Sequence, residues 1–342
     1  MVKFRVGAVF IAAFALIASI AHAKDKDWSL VRFSYSSGWD ALPAIVATER
    51  GFFAEQGLVA SGLAVSSGQA VAVSLGVGTT DFAALPQETL LYMAASKIPV
   101  SVVSMNGWGV PMELVVPKSD ATTHSIADLK GKAIAVTDAS SAYPILIRLL
   151  NNARLRPSDV KIRFLAANQL THAFTEKRAD AVFETRYFTE TLTQASQGGR
   201  VVTGPEDITK ALGDINAMPL VVRTELIAKE PEVVQKFINA WVRAQYYIRQ
   251  DPVDCAKLLQ IFLHRQGVPV ADGLALNWVK MPNYNHFVWQ AADIADADYN
   301  GWAMKTGGVL KVEPKIDGMI NNSFAERAVA QLEQTSQSKS KN

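Results

Sequence analysis

The chain has one cysteine, Cys255, in 342 residues. A single thiol cannot form an internal disulfide, and no cysteine cluster is present to hold zinc or an iron–sulfur centre. Histidine is scarce too. His22, His124, His172, His264 and His286 are scattered, and none is paired at the spacing of an H-E-x-x-H zinc site. His286 lies among Tyr284, Phe287 and Trp289 and reads as a packing residue. There is no G-x-S-x-G nucleophile turn, no phosphate-binding P-loop and no dinucleotide fingerprint. Gly76-Val77-Gly78 is a glycine fragment that follows a helical run rather than a strand. Charge of one sign is also lacking. Lys and Arg number 34 against 32 Asp and Glu, for a net charge of +2, which leaves no electrostatic footprint for nucleic acid. Beyond residue 23 no apolar run approaches the length of a membrane span. These absences point away from metal, cofactor and nucleophile chemistry. No cofactor, no nucleic-acid partner and no catalytic residue are expected.

The N-terminus is patterned. Lys3 and Arg5 precede an apolar stretch from Gly7 to Ile20, and Ala21-His22-Ala23 is an A-x-A cleavage site. Residues 1–23 therefore read as an export signal, and the mature chain is expected to begin at Lys24 in the periplasm. No cysteine follows the apolar stretch to carry a lipid. The competing reading, an uncleaved anchor, needs a longer apolar run than this one.

The length fits two domains. Short extended runs alternate with helical ones, the rhythm of an α/β chain with mainly parallel sheets. Val31 to Tyr35 reads as a strand and Leu42 to Glu49 as a helix. Gly51 reads as its left-handed stop, and the Phe52-Phe53 pair can bury against the domain the helix has just left. Asp81 to Leu85 is a short buried strand, with Pro86 opening the next helix. Asn106-Gly107-Trp108-Gly109 is expected to break regular structure after the strand Val100 to Met105. A second rhythm begins at Glu113. It includes a short helix with a Ser125 cap and a Gly131 stop, strands at Ala133–Val136, Val160–Leu165 and Ala179–Phe183, and a return strand at Pro219–Val222. From Pro231 to Arg249 the positions Val234, Phe237, Ile238, Trp241, Ala244 and Ile248 recur at helical spacing and mark a core face. This divides the mature chain into a discontinuous lobe one, residues 28–108 and 222–330, and a lobe two, residues 109–221. The polar tail 334–342 is expected to be disordered.

Several ordered patterns carry a resemblance. They are ATERGFFAEQGL (47–58), SSGQAVAVSLGVGTTDFAAL (66–85), IADLKGKAIAV (126–136), KRADAVFETRYF (177–188) and KEPEVVQKFINAWVRAQYYI (229–248). In this order and spacing the chain resembles the solute-binding proteins of ABC importers in the nitrate/sulfonate/taurine and thiamine-precursor binding family. The resemblance runs over roughly residues 30–265. One departure is Phe183-Glu184-Thr185-Arg186-Tyr187, where many members carry a Pro-Tyr pair after the acid. The resemblance implies a type II periplasmic binding protein, two lobes with a ligand cleft between them. The implied partners are an ABC permease and its ATPase, with the protein itself a monomer. The implied ligand is a small organic anion, foremost a sulfonate of the aliphatic or taurine type. Nitrate, an aromatic carboxylate or a thiamine-precursor pyrimidine are the alternatives. A ligand-sensing module and an exported enzyme on the same fold are the alternatives in role. Some relatives are intracellular biosynthetic enzymes, which an export signal argues against.

In open α/β sheets ligands bind beyond the carboxyl ends of the strands, where helix N-termini present free N–H groups. That geometry selects five loops: Ser37-Gly38-Trp39-Asp40, Ser66-Ser67-Gly68-Gln69, Pro86-Gln87-Glu88, Asp138-Ala139-Ser140-Ser141 and Glu184-Thr185-Arg186-Tyr187. Ser37 belongs to the first of them. Ser67, Ser140 and Ser141 can donate to an oxyanion or cap a helix. Gln69 and Gln87 can orient a ligand or simply face solvent. Trp39 can wall the cleft or anchor the core. Asn106 and Trp108 sit where the chain crosses between lobes, as hinge or pocket residues. Arg186 can clamp an anion or pair with Glu184 or Asp138. Asp40, Glu88 and Glu184 can hold a ligand amine, or sit at helix N-termini for the dipole's sake.

Overall fold

The computed structural model describes residues 28–35, 41–65, 68–109, 112–137, 140–166, 169–193, 198–213, 215–266, 270 and 272–340. The expected export signal and Ser37, Trp39, Asp40, Ser67 and Asp138 lie outside the described residues. The first part of the chain runs β1 (Ser29–Tyr35), α1 (Leu42–Glu49), α2 (Phe52–Glu55), β2 (Leu58–Ala64), α3 (Gly68–Gly76), β3 (Phe82–Ala84), α4 (Gln87–Ala95) and β4 (Val100–Trp108). It crosses to β5 (Met112–Pro117), β6 (Ala133–Thr137), α5 (Ala142–Asn152), β7 (Lys161–Leu165), α6 (Leu170–Thr175), β8 (Ala181–Thr185), α7 (Arg186–Thr193), β9 (Gly199–Thr203) and α8 (Pro205–Leu212). It returns along β10 (Ala217–Arg223) and finishes as α9 (Thr224–Lys229), α10 (Pro231–Gln250), α11 (Pro252–Arg265), α12 (Asp272–Lys280), α13 (Ala291–Thr306) and α14 (Ser323–Ser340). Among the described residues no helix is long and apolar enough to cross a membrane.

Two five-stranded sheets result, ordered β2-β1-β3-β10-β4 and β7-β6-β8-β5-β9. The orders are equivalent. β6, β7, β8 and β9 take the places of β1, β2, β3 and β4, and each sheet receives one strand from the chain crossing, β10 in the first and β5 in the second. The sheets are mixed rather than mainly parallel. β1 pairs in parallel with β2 and β3, but β10 is antiparallel to β3 and β4. β6 likewise pairs in parallel with β7 and β8, while β5 is antiparallel to β8 and β9. A crossing strand enters its sheet from the hinge side, where its neighbours end, so it must run against them. β10 lies wholly in the first sheet, and the expected division between residues 221 and 222 falls inside it.

The core of the first lobe is aromatic. Phe82 stacks on Phe237 with ring centroids 3.9 Å apart, and Phe53 and Trp241 close on the same ring. Val234, Phe237, Ile238, Trp241, Ala244 and Ile248 are all buried, so the helical spacing in the sequence marks the face of α10 that covers the sheet. Gly51 has φ +72, and the Phe52-Phe53 pair is buried directly after it. A left-handed residue there lets the chain reverse and seat both rings without a Cβ clash.

Three expectations need correction. β4 continues through Asn106, Gly107 and Trp108, so the break comes only at Gly109, which has φ +115. Gly107 serves packing instead, since a Cβ there would lie 2.9 Å from Met218 Cε. The short helix after Ser125 is a single 3₁₀ turn, Ile126–Leu129, because the Asp128 carboxylate gathers the N–H groups of His124 and Ser125 and the Ser125 hydroxyl, each at 2.9 Å. Residues 334–340 of the polar tail continue α14 rather than being disordered. The Thr335 hydroxyl donates to Gln331 O at 2.8 Å and the Ser338 hydroxyl to Thr335 O at 2.9 Å, so polar side chains bond back onto the helix.

Candidate functional site

The helices α4 and α5 begin at the carboxyl ends of β3 and β6, one in each lobe, and their N-termini meet. Pro86 stands at the N-cap of α4 in an extended conformation, which leaves Gln87 and Glu88 in its first turn. Ser141 stands at the N-cap of α5. Ser141 Oγ lies 2.5 Å from Glu88 Oε2 and 3.1 Å from Asn216 Oδ1. Asn216 sits on the returning crossing in a left-handed conformation, φ 68, and its amide reaches back to Gly109 O on the outgoing one. One hydrogen-bonded cluster therefore ties together both lobes and both crossings.

A serine hydroxyl carries one proton, yet Ser141 faces two acceptors. The contacts balance when Glu88 is protonated: its O–H donates to Ser141, which donates to Asn216. Electrostatics agrees. Burial of Glu88, opposed by the Ser141 contact, pushes its carboxyl up to about 7, and the charges of Asp296 and Glu184 add to the rise. Glu88 is fully buried, and among the described residues its Oε1 has no hydrogen-bond partner. The next side chain, Thr89, also buries an unpartnered hydroxyl, and it packs so closely under Gly68 at the start of α3 that any Cβ there would collide with it.

Lobe two presents a different acid. Glu184, at the end of β8, accepts from Thr185 N at 2.8 Å and from Thr137 N and Ser140 Oγ at 3.2 Å. Burial raises its pKa and these donors oppose the rise. Ser140 also accepts the Ala142 N–H and reaches Thr137 O, so it caps the start of α5. Arg186 opens α7. Its Nε donates to Glu113 Oε1 at 2.6 Å, and Thr189 fixes the other oxygen of Glu113 at 2.7 Å. Among the described residues the partner of Arg186 is thus not Glu184 but a residue on β5 directly across from Glu184 in the sheet, while Asp138 lies outside them. Among the described residues the two terminal amino groups of Arg186 have no acceptor, and the side chain is 36% exposed. Further along α7, burial raises the Glu190 carboxyl. The neighbouring Trp278 indole, from α12 of lobe one, opposes the rise.

The structure brings Ser140, Ser141, Glu184 and Arg186 to one edge of lobe two and sets Glu88 against them. Gln87 points elsewhere. It donates to Asp296 at 3.1 Å and accepts from Asn300, both on α13. The same Asp296 pairs with Arg148 of lobe two at 2.8 Å and accepts the Asn216 N–H at 3.0 Å, so α13 is a strut across the hinge. Asn106 is buried beneath α10, where Gln245 donates to its carbonyl. Trp108 packs on the His286 ring at 5.5 Å, in keeping with His286 as a packing residue. Gln69 is exposed on the first turn of α3. Glu113, Asn216, Glu190 and Trp278 escape sequence reasoning as site residues; only the left-handed Asn216, beside a glycine turn, leaves a local trace. Among the described residues no group of three or more His, Cys, Asp or Glu side chains is gathered to hold a metal.

Comparison with known proteins places this geometry. The taurine-binding periplasmic protein of Escherichia coli (strain K12) is 27% identical over 324 residues, covering 91% of this chain and 94% of its own. The alkanesulfonate-binding protein SsuA of Xanthomonas axonopodis pv. citri, solved bound to MOPS, superposes with a TM-score of 0.71 at 17% identity, over 86% of this chain and 98% of that one. The desulfurization enzyme DszB, solved as a mutant in complex with biphenyl-2-sulfinic acid, shares the fold with a TM-score of 0.65 at 16% identity, over 88% and 99% of the two chains. The two-lobed fold is that of the periplasmic binding proteins. The family model described as NMT1/THI5 like matches residues 39–255, more than half of the sequence, and the chain belongs to that family.

Proposed function

We propose that this chain is the periplasmic solute-binding component of an ABC importer. It captures a small organic anion, a sulfonate of the aliphatic or taurine type, by closing its two lobes, and it catalyses no reaction. The observation that carries this reading is the meeting of helix N-termini from opposite lobes at Glu88 and Ser141, on the side of lobe two where Arg186 has terminal amino groups without an acceptor among the described residues. N-terminal N–H groups and a guanidinium favour an oxyanion, and contacts from two lobes favour the closed state. The names of the relatives, taurine- and alkanesulfonate-binding, support the ligand class. Gln69, on the first turn of α3, is assigned to the same rim, and Ser37, Trp39, Asp40 and Ser67, which sequence reading adds to it, lie outside the described residues. The hinge is the pair of crossings at residues 109–112 and 213–217. The likeness to DszB raises catalysis as a second reading, but the one thiol disfavours it. Cys255 is buried on α11 and burial pushes it up to about 12, so it makes a poor nucleophile.

Calorimetry with taurine, alkanesulfonates, nitrate, aromatic carboxylates and formylaminopyrimidines tests the ligand class. Saturable binding of a sulfonate is expected, and binding confined to an uncharged compound overturns it. N-terminal sequencing of exported protein should begin at Lys24; a retained 1–23 segment contradicts the periplasmic reading.

A further inference from the structure

We infer that Glu88 is a specificity-determining residue for a positively charged end of the ligand: the solute is a zwitterion, its ammonium seated on the Glu88 carboxylate and its anionic end toward Arg186 and the helix N-termini of lobe two. This rests on the sulfonate reading above and narrows it from any sulfonate to an aminosulfonate.

The argument is a charge inventory. Buried carboxylates in proteins are paired or strongly hydrogen-bonded. Here Asp296 has Arg148, Asp81 has Arg32, and Glu113 has Arg186. Among the described residues Glu184 has no cation, but the backbone N–H groups of Thr185 and Thr137 hold its two oxygens. Glu88 is served by neither arrangement. Among the described residues, apart from its own backbone N–H, its one partner is a serine hydroxyl from the opposite lobe, and one oxygen has no partner. Asp296 on α13 and Glu184 at the end of β8, both acidic, add to the rise, and the cation nearest Asp296, Arg148, is already paired with it. No Lys, Arg or His is paired with it among the described residues. The N-terminus of α4 offers only a partial positive charge, too little to offset the burial, since the carboxyl rises to about 7. On the lobe-two side Glu113 and Glu190 share one guanidinium, Arg186, and Glu184 lies across the sheet from Glu113. A purely anionic ligand would meet this excess of acid unaided. A ligand that brings its own ammonium supplies the missing cation, ionises Glu88, and releases it from Ser141, whose hydroxyl is then free for the ligand.

The test pairs taurine with isethionate, the same ethanesulfonate skeleton with hydroxyl in place of ammonium, by calorimetry on the mature wild-type chain and on Glu88→Gln. Taurine should bind the wild type roughly tenfold to a hundredfold more tightly than isethionate, the range of a hydrogen bond to a charged group. Glu88→Gln should erase that preference while still binding isethionate, which also shows that the variant is folded. Ammonium binding must drive off the Glu88 proton. At pH 7, titrations in two buffers of different ionisation enthalpy should show on the order of half a proton released with taurine, none with isethionate, and none in Glu88→Gln. Equal affinity for the two ligands in the wild type overturns the inference and leaves the sulfonate reading standing. So does a taurine preference that survives in Glu88→Gln. Binding of neither ligand overturns both.

Discussion

The two lobes repeat one strand order, yet their buried glutamates are held differently. Glu184 in lobe two has both carboxylate oxygens occupied by donors from its own lobe. Glu88 in lobe one has one oxygen on the opposite lobe and, among the described residues, nothing on the other. A lobe that satisfies its own acid is finished by folding. A lobe whose acid is left half-bonded is finished only by its neighbour or by a ligand, and that asymmetry marks lobe one's helix N-terminus as the reactive side of the cleft.

The lobes also differ in their cores, and the largest expected effect follows from that. Lobe one is centred on the Phe82–Phe237 stack, whereas the core beneath α5 in lobe two is mostly aliphatic. Phe237→Ala should cost about 3–5 kcal/mol in urea unfolding. A loss under about 1 kcal/mol would mean the stack does not organise the lobe.

The next effect separates the two glutamates by pH. A carboxyl whose pKa is raised on folding binds a proton more readily in the native state, so stability is greatest below its unfolded value and is lost as the pH rises through the folded one. For Glu88, raised from 4.5 to about 7, the loss falls between those values and amounts to roughly 3 kcal/mol. Glu184 adds to the same trend through its own raised pKa. Glu88→Gln should flatten most of the decline between pH 5 and 7.5 in thermal unfolding. An undiminished decline would assign it to other groups.

A smaller effect concerns the serines. Ser141 bridges the lobes and Ser140 caps α5. Replacing both with Ala should weaken sulfonate binding by about 1–3 kcal/mol. Unchanged affinity would make them caps and latches only.

Much of this was legible in the sequence. The spacing of Val234, Phe237, Trp241 and Ile248 marked a buried helix face because helical periodicity is local. Gly51 marked a chain reversal because few other residues tolerate its conformation. What was not legible depends on distant pairing. Arg186 meets Glu113 across 73 positions of sequence, and Gln87 meets Asn300 across 213. No local pattern encodes which strand a crossing segment will enter, so the antiparallel β5 and β10 and the diversion of Gln87 to the hinge strut emerge only in three dimensions. Asn106-Gly107 has the composition of a turn, but Gly107 lies within β4 and packs closely against Met218. The loops at 36–40 and 66–67, which carry Ser37, Trp39, Asp40 and Ser67, lie outside the described residues.

The central claim is capture by closure of two lobes, and solution scattering with and without saturating taurine tests it most directly. The account predicts a smaller radius of gyration in the liganded protein, because a ligand held from both lobes favours their closed arrangement. A scattering curve unchanged by taurine that calorimetry shows to be bound would contradict it.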